Sequence, residues 1–280
     1  MTVTTYLISL PRAEKRRVLM LETLAEAGID AVIVDAIDAK ETPKDVLLQS
    51  CQAEGPWGVF HLGNMACTMS HALVWEQFLQ GDDDHAVILE DDVFLSPELK
   101  LWLSDLNWWP QGCDLVNLEF WVSNSLRVML GTRPTAHLGR DVTPMLSRNP
   151  GSAGYIVTRE GARRLLDARP FDVPIDQLLF NPLVSRLAVE LNPHQVSPAL
   201  VRQGNAPEGE LSMLGGRTRP SGAAYRRQKL RRGWAELRAV PLHLFHFLSG
   251  KARMRRVEYQ NTTLADPIPE TVDRANPTHQ

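Results

Sequence analysis

The chain has 280 residues, of which 44% are apolar and 22% charged, a balance typical of one large α/β domain or two small domains. No apolar run approaches the roughly 18 residues that a membrane-spanning helix needs, and the first residues do not have the pattern of a signal peptide. The three cysteines, Cys51, Cys67 and Cys113, lack CxxC spacing. This spacing excludes a disulfide framework and a cysteine-based zinc site, and it favours the cytoplasm.

The net charge is only −3, but it is unevenly distributed. Residues 217–256 contain twelve Lys or Arg residues and one acidic residue, Glu236, so the remainder of the chain is acidic. A basic segment on an acidic body predicts contact between that segment and a polyanionic surface.

The N-terminal part of the chain predicts a β-α-β unit. Residues 4–10 have strand composition, residues 13–27 place apolar side chains at helical spacing before Gly28, and residues 29–36 form a second apolar run. This order favours a parallel sheet with a right-handed crossover.

Further elements follow from periodicity and turn residues. Helices are predicted at 42–51, 64–79 (capped by Asn64), 97–106 and 159–168, and strands at 85–89, 114–120, 153–158 and 187–191. Residues 121–150 are too long for an ordinary connection, so they predict an excursion over an active site, with a hairpin. Residues 55–58 are a predicted turn, and residues 172–179 include a constrained turn, Val173-Pro174-Ile175-Asp176, that presents a carboxylate. Residues 193–198 are predicted to form an irregular return.

The composition changes after Gln203, which predicts four regions. Residues 1–203 form the catalytic domain, 204–224 a flexible linker, 225–257 a basic amphipathic helical segment and 258–280 a disordered tail.

The most informative stretch is His85-Ala86-Val87-Ile88-Leu89-Glu90-Asp91-Asp92-Val93-Phe94. Its apolar run predicts a strand buried on both faces, and three carboxylates follow at once. Adjacent carboxylates repel one another unless a cation lies among them, and Mg²⁺ or Mn²⁺ prefers such oxygen ligands. Ligands of open α/β sheets bind beyond the carboxyl ends of the strands. The alternative is a solvated acidic turn.

Two other stretches carry candidate binding residues. Ile8-Ser9-Leu10-Pro11-Arg12 leads from a strand into a helix bearing Arg16 and Arg17, an arrangement that suits a phosphate, although a solvated helix face would have the same composition. His71 and Trp75 share one helix face among apolar neighbours, where core residues are more common than ligands.

Together, six stretches in order resemble glycosyltransferase family 25, the bacterial lipopolysaccharide and lipooligosaccharide glycosyltransferases that are related to the collagen galactosyltransferases. The stretches are ISLPR at 8–12 with Arg16 and Arg17, residues 28–38, CTMSH at 67–71 with Trp75, ILEDDV at 88–93, GSAGYIV at 151–157 and PID at 174–176. The resemblance covers residues 4–203 and leaves out the basic segment.

The resemblance implies an α/β fold of GT-A-like, Rossmann type, a mostly parallel sheet flanked by helices, to which the basic helical extension is added. It also implies a metal-dependent, inverting transfer of a hexose, most often galactose, from a UDP-sugar to a lipopolysaccharide, glycolipid or other surface glycan. Mn²⁺ or Mg²⁺ would neutralise the leaving diphosphate.

The resemblance also implies roles for individual residues. Glu90 and Asp92 would be the metal ligands. Asp176 is the first candidate for the general base, with Glu119 second, and the alternative for Asp176 is an N-cap of a helix beginning at Gln177. The donor-binding residues would be Ser9, Leu10, Arg12, Arg16, Ser70, His71 and Asp91.

Two other functions use the same features. A metal-dependent phosphohydrolase acting on nucleotide diphosphates would use the same carboxylates, but the sequence offers no separate nucleophile. A nucleic-acid-binding protein would use residues 217–256, but the acidic body opposes it, so no nucleic-acid partner is expected. The basic segment, with Phe245 and Phe247, instead predicts a peripheral position on the anionic inner face of the cytoplasmic membrane.

Overall fold

The computed structural model describes residues 2–121, 126–204 and 222–261. The helices are α1 Glu14–Glu26, α2 Lys44–Ser50, α3 Leu62–Gln80, α4 Leu99–Ser104, α5 Arg159–Leu166, α6 Ile175–Phe180, α7 Leu187–Glu190 and α8 Gly222–Leu248. The strands are β1 Val3–Ser9, β2 Ala31–Asp35, β3 Glu54–Gly55, β4 Gly58–Val59, β5 His85–Glu90, β6 Val93–Leu95, β7 Leu115–Asn117, β8 Glu119–Phe120, β9 Val128–Gly131, β10 Thr135–His137, β11 Arg140–Pro144, β12 Gly154–Thr158, β13 His194–Ser197, β14 Val201–Gln203 and β15 Ala252–Arg255.

The central sheet confirms the α/β class. Its eight strands lie in the order β10-β11-β13-β7-β12-β5-β1-β2, and β1 pairs in parallel with both β2 and β5 as the β-α-β pattern predicts. The sheet is mixed rather than mostly parallel, because β12 runs antiparallel between β5 and β7 and because β11 is antiparallel to both of its neighbours. The excursion before β12 returns the chain at the carboxyl edge of β5, so the next strand must run in the opposite direction.

Two apolar layers cover the sheet, one on each face. In β5, Ala86 and Ile88 belong to the layer that contains α3 and α6, whereas Val87 and Leu89 belong to the layer that contains α1 and α4. All four side chains are fully buried. The predicted strand buried on both faces is therefore confirmed, and its carboxyl end is fixed in position by both layers.

Two secondary-structure predictions in residues 187–198 were wrong. Residues 187–191 were predicted as a strand, but Leu187–Glu190 is a helical turn, since a run of three apolar residues fits either structure. The irregular return is strand β13, which pairs with β7 and β11. Its sequence is polar, yet Gln195 is completely buried and bonds to Asn149 and to backbone carbonyls, so hydrogen bonds replace apolar packing there.

Two helix predictions also need correction. Helix α3 begins at Leu62 with His61 at its cap position, so Asn64 is not the cap. The basic segment forms one helix, which ends at Leu248, and the chain then makes strand β15 instead of a helix reaching residue 257. Gly250, with φ of 72°, lies in the turn between them.

Smaller sheets complete the fold around the acidic turn, residues 90–92. β14 pairs with β6 and β8, and β15 pairs with β9 from the excursion. The excursion also contains the predicted hairpin, formed by β10 and β11. Residues 205–221 of the predicted linker and 262–280 of the predicted tail lie outside the described residues. Within the described ranges, no helix is long and apolar enough to cross a membrane.

Candidate active site

The acidic turn joins β5 to β6 at the carboxyl edge of the sheet. Glu90 ends β5, and Asp91 and Asp92 form the turn before Val93. The amide of Gly204, just beyond β14, donates to the carbonyl of Asp92 at 2.7 Å. The side-chain amide of Gln203 is 3.5 Å from Asp92 Oδ1. The end of β14 therefore holds the turn at Asp92.

Asp91 faces the first β-α unit. Ser9, the last residue of β1, donates its hydroxyl to Asp91 Oδ2 at 2.7 Å, and Arg16 on α1 pairs with Oδ1 of the same carboxylate. Arg16 also lies 3.2 Å from Asp92 Oδ2. Burial raises the pKa of Asp91, while the Ser9 hydroxyl and the Arg16 charge oppose that rise. Three of the predicted residues, Ser9, Arg16 and Asp91, are thus brought together as one buried cluster.

Two further predicted donor-binding residues, Arg12 and Ser70, contact the loop after β2 instead of the acidic turn. Arg12 forms an ion pair with Asp38, in the loop after β2, and its guanidinium holds the pKa of Asp38 below the usual range. Ser70 is buried: its hydroxyl donates to the carbonyl of Ala66 at 2.7 Å and accepts from the amide of Ile37 at 2.9 Å. The Ser70 hydroxyl therefore joins α3 to the loop after β2.

Leu10 is the remaining predicted donor-binding residue near the end of β1. Leu10, the residue after β1, is half-buried and adjoins the turn that leads to Arg12.

His71 lies on α3, is completely buried and faces the first residue of the acidic turn, Glu90. Its Nδ1 atom is 3.0 Å from the hydroxyl of Tyr155, which also accepts a hydrogen bond from the indole of Trp75. Its Nε2 atom is 3.4 Å from Glu90 Oε1. The core interpretation of Trp75 is supported by its burial, whereas His71 reaches from the core to the first carboxylate of the turn.

Glu119 is the most deeply buried carboxyl group of the site. Its Oε2 atom accepts the amide of Ala153 at 2.6 Å, and its Oε1 atom has no hydrogen-bond partner among the described residues. Burial raises the pKa of Glu119 well above its usual value, and the charges of Glu90, Asp92 and Asp176 raise it further. Three carboxylates from two other parts of the chain therefore act on Glu119.

The pKa of Asp92 is raised as well. Burial, followed by the negative charge of Glu90, raises the pKa of Asp92 to about 7, although Arg16 lowers it. One buried arginine thus does not balance the carboxylates, and a divalent cation would relieve their repulsion.

Asp176 lies in the first turn of α6 and is half-buried. The helix begins at Ile175 with Pro174 at its cap position, so Asp176 is not the N-cap, and that alternative is wrong. The side-chain amide of Gln177 donates to Asp176 Oδ2 at 2.5 Å. Asp176 is therefore partly exposed, and its charge acts on the carboxyl group of Glu119.

The sequence did not identify several residues that shape the site. Tyr155 binds His71 from the antiparallel strand, Gln203 reaches Asp92 from β14, and Asp38 pairs with Arg12. At Gly151, with φ of 99°, a Cβ atom would lie 2.6 Å from both carboxylate oxygens of Glu119. Asp38, Gly151 and Tyr155 lie in stretches of the family resemblance, whereas Gln203 does not, and no local pattern shows which residues these side chains contact.

The sequence profile of glycosyltransferase family 25 (LPS biosynthesis protein) matches residues 2–179, which is more than half of the chain. The chain belongs to glycosyltransferase family 25. The resemblance found in the sequence is confirmed, and with it the prediction of a glycosyltransferase at the level of the family. Of the three functions considered, family membership supports glycosyl transfer.

Known relatives agree with this placement. The chain is 28% identical over 183 residues to a putative glycosyltransferase of Haemophilus influenzae, with 62% of each chain aligned. It is 27% identical over 209 residues to the lacto-N-neotetraose biosynthesis glycosyltransferase LgtE of Neisseria gonorrhoeae, covering 71% of this chain and 73% of that protein. The match to the first relative thus spans less than two thirds of that protein's length.

A solved structure is similar at low identity. It is the glucosyl-3-phosphoglycerate synthase of Mycobacterium tuberculosis in complex with Mn²⁺, UDP and glucosyl-3-phosphoglycerate, at 17% identity and a TM-score of 0.36, covering 84% of this chain and 79% of that one. A likeness at this score carries no argument about the site.

Proposed function

We propose that the protein is a metal-dependent, inverting glycosyltransferase that moves a hexose, galactose, from a UDP-sugar to a lipopolysaccharide, glycolipid or other surface-glycan acceptor. The observation that carries the proposal is the cluster of Glu90, Asp92, Glu119 and Asp176 at the carboxyl edge of a GT-A-like sheet in a family 25 chain. Galactose is the sugar implied by the family resemblance.

The residues of the acidic turn fit a divalent cation. Glu90 and Asp92 would hold it, because carboxylate oxygens suit Mn²⁺ or Mg²⁺ and because burial, followed by the charge of Glu90, raises the pKa of Asp92. When bound, the ion would neutralise the charge that develops on the leaving diphosphate. The charges of Glu90 and Asp92 also act on Glu119, whose Oε1 atom has no hydrogen-bond partner among the described residues, which is consistent with a polar ligand there.

The cationic side of the donor site would be formed by Arg12. Its side chain is about one third exposed, so it can reach a diphosphate while its pairing with Asp38 limits its orientation. Arg16 is buried against Asp91 and Asp92 and would act chiefly by holding the acidic turn in place. Ser9, Leu10, Ser70, His71 and Asp91 would shape the donor pocket around these groups.

The acceptor side would be formed by Asp176. Its carboxylate would take the proton of the acceptor hydroxyl as that oxygen bonds to the anomeric carbon, and the bond to the diphosphate would break with its electron pair leaving on UDP. Glu119 is the second candidate, but its carboxyl group is buried and bound to the amide of Ala153. Exposure therefore favours Asp176.

The acceptor chemistry implies a membrane surface, and α8 suits one. Its inner face contacts the body, where Gln228 and Arg232 donate to the carbonyl of Trp57. Its opposite face is an apolar stripe of Leu230, Trp234, Leu237, Leu244 and Leu248, spaced at helical intervals and 52–74% exposed.

Basic residues flank the apolar stripe of α8. Arg226, Arg227, Lys229 and Arg238 on the helix are all exposed. An exposed apolar stripe with flanking arginines is the pattern of a helix that lies in the interface of an anionic membrane. We propose that α8 attaches the protein peripherally to the inner face of the cytoplasmic membrane.

The direct test of the proposed reaction is turnover of UDP-galactose and other UDP-sugars with and without Mn²⁺. We expect Mn²⁺-dependent release of UDP that falls at least about 100-fold in Asp92→Ala, because electrostatic stabilisation of the leaving group is lost. Asp82→Ala, in the exposed loop before β5, is the matched control and should keep normal turnover. Full activity of Asp92→Ala would contradict the metal assignment.

A further inference from the structure

A second group of potential metal ligands lies beside the acidic turn. Cys67 and His71 are one helical turn apart on α3, and both face Glu90 at the end of β5. One ligand atom from each, Sγ, a ring nitrogen and a carboxylate oxygen, lies within 4.8 Å of the other two. The cysteine spacing excluded a site made of cysteines, but it could not exclude one made by a cysteine, a histidine and a glutamate from different elements.

The strongest sign of a ligand is the Nε2 atom of His71. The side chain is completely buried, and this nitrogen has no hydrogen-bond partner among the described residues although it lies 3.4 Å from Glu90 Oε1. Buried polar atoms are nearly always bonded, so an unpartnered one needs an explanation. Two ligands of one tetrahedral Zn²⁺, each about 2.0 Å from the metal, are separated by about 3.3 Å, which is close to the observed spacing.

The surroundings of His71 also match those of a metal ligand. Metal-binding histidines usually have their second ring nitrogen held by another polar group, which fixes the ring. Here Nδ1 of His71 is 3.0 Å from the Tyr155 hydroxyl, and Trp75 donates to that same hydroxyl. The two rings of His71 and Tyr155 are also stacked, with centroids 5.7 Å apart. The imidazole is therefore positioned before any ion binds.

The donor set identifies the kind of ion. A thiolate, an imidazole and a carboxylate form the mixture of ligands that zinc accepts, whereas Mg²⁺ and Mn²⁺ prefer oxygen alone. We propose that Cys67, His71 and Glu90 form a Zn²⁺ site, with water as the fourth ligand. Cys67 is half-buried and in no disulfide, so the site is reachable from solvent.

The zinc site would share Glu90 with the metal site of the proposed transfer reaction. Zn²⁺ bound by Cys67 and His71 takes Glu90 away from Asp92, so zinc inhibits the Mn²⁺-supported reaction. This consequence rests on the proposed function, whereas the zinc site itself does not.

The site is tested by titrating the full-length, reduced protein with Zn²⁺ against a chromophoric chelator. The wild type should bind one equivalent, and Cys67→Ser should bind it at least about tenfold more weakly because the thiolate ligand is lost. Cys113→Ser is the matched control: this buried cysteine lies away from the cluster and donates to the carbonyl of Leu115. Equal Zn²⁺ affinity in the wild type and Cys67→Ser would overturn the site.

Cobalt gives a second measurement that does not depend on activity. Co²⁺ added to the wild type should produce a thiolate-to-metal charge-transfer band that is absent in Cys67→Ser and retained in Cys113→Ser. Thermal unfolding of each variant establishes that it is folded. A wild-type spectrum without a thiolate band would exclude Cys67 as a ligand.

The competition is tested in the Mn²⁺-dependent transfer assay. Zn²⁺ should raise the Mn²⁺ concentration needed for half-maximal turnover of the wild type at least fivefold, and this rise should vanish in Cys67→Ser. If Zn²⁺ binds through Cys67 but leaves turnover unchanged, the shared role of Glu90 is wrong. If no UDP-sugar is turned over while Zn²⁺ still binds, the proposed function fails and the zinc site stands.

Discussion

Arg16 partly neutralises the adjacent carboxylates Asp91 and Asp92, which follow the buried strand β5. It is almost completely buried and lies against both Asp91 and Asp92, while Glu90 points to the other side, toward His71. Strict strand alternation would place Glu90 and Asp92 on one side, but Asp91 and Asp92 lie in the turn after β5, so both face Arg16 while Glu90 faces His71. Burial, followed by the charge of Glu90, raises the pKa of both Asp92 and Glu119, and Arg16 offsets this rise only at Asp92.

Two carboxyl groups compete for the role of general base, and their exposure separates them. Asp176→Asn should lower kcat by a factor of about 10² to 10⁴, the usual contribution of a base, with little change in the KM of the donor. Glu119→Gln should retain activity within about tenfold, because an amide can still accept the bond from Ala153. Steady-state kinetics of both variants checks this expectation.

The matched control is Asp172→Asn, in the segment that precedes α6 and also half-buried. It should behave as the wild type. A larger loss in Glu119→Gln than in Asp176→Asn, with both variants folded, would assign the base to Glu119.

Single elements show what the sequence could and could not predict. Strand β5 was predictable because its apolar run is long enough, and continuous enough, to be buried on both faces. Helix α7 was not, because its three consecutive apolar residues have no distinguishing period. The direction of β12 depends on where the preceding excursion returns, and the pairing of Arg16 with Asp91 joins residues 75 positions apart. Both are properties of the folded chain that no local window contains.

His85, at the start of β5, makes the stability of this element depend on pH. The ring is buried against Trp109, with centroids 4.5 Å apart, and neither ring nitrogen has a hydrogen-bond partner among the described residues. Burial lowers the pKa of His85, an effect that the charge of Asp84 partly opposes. Because the folded-state pKa is below the unfolded value of about 6.5, the unfolded chain binds the proton first, and stability falls as the pH drops below about 6.5.

His85→Phe keeps the ring but removes the titration. We expect the variant to lose about 1 kcal/mol less free energy of unfolding than the wild type between pH 7.5 and pH 5.5. Urea denaturation at both values measures the difference, with His243→Phe on α8 as the control that should retain the wild-type dependence. Identical losses in wild type and His85→Phe would show that His85 does not titrate on unfolding.

At the scale of the whole molecule, the basic segment is joined to the catalytic fold at several points. Strand β15 pairs with β9, the amide of Ala199 donates to the carbonyl of Glu258 at 2.6 Å, and Arg232 packs over the ring of Trp57. These contacts fix one face of α8 toward the body and leave its apolar stripe outward. A truncation before α8 would therefore also remove β15, so substitutions on the stripe give a cleaner test of membrane attachment than a deletion.

The double variant Leu237→Ser and Leu244→Ser should lose membrane binding without losing the fold. Both leucines are more than half exposed, so the free energy of unfolding should change little, but each leucine contributes roughly 1.5 to 3 kcal/mol when it enters an apolar phase. We expect at least tenfold weaker co-flotation with anionic vesicles, and binding of the wild type should weaken when salt is raised or anionic lipid is omitted.

Leu101→Ser, equally exposed on α4, is the matched control and should float as the wild type does. Because both leucines are exposed and the fold is retained, the double variant should still turn over a water-soluble acceptor while its activity on a membrane-embedded acceptor falls. Unchanged flotation of the double variant would show that α8 does not attach the protein to the bilayer.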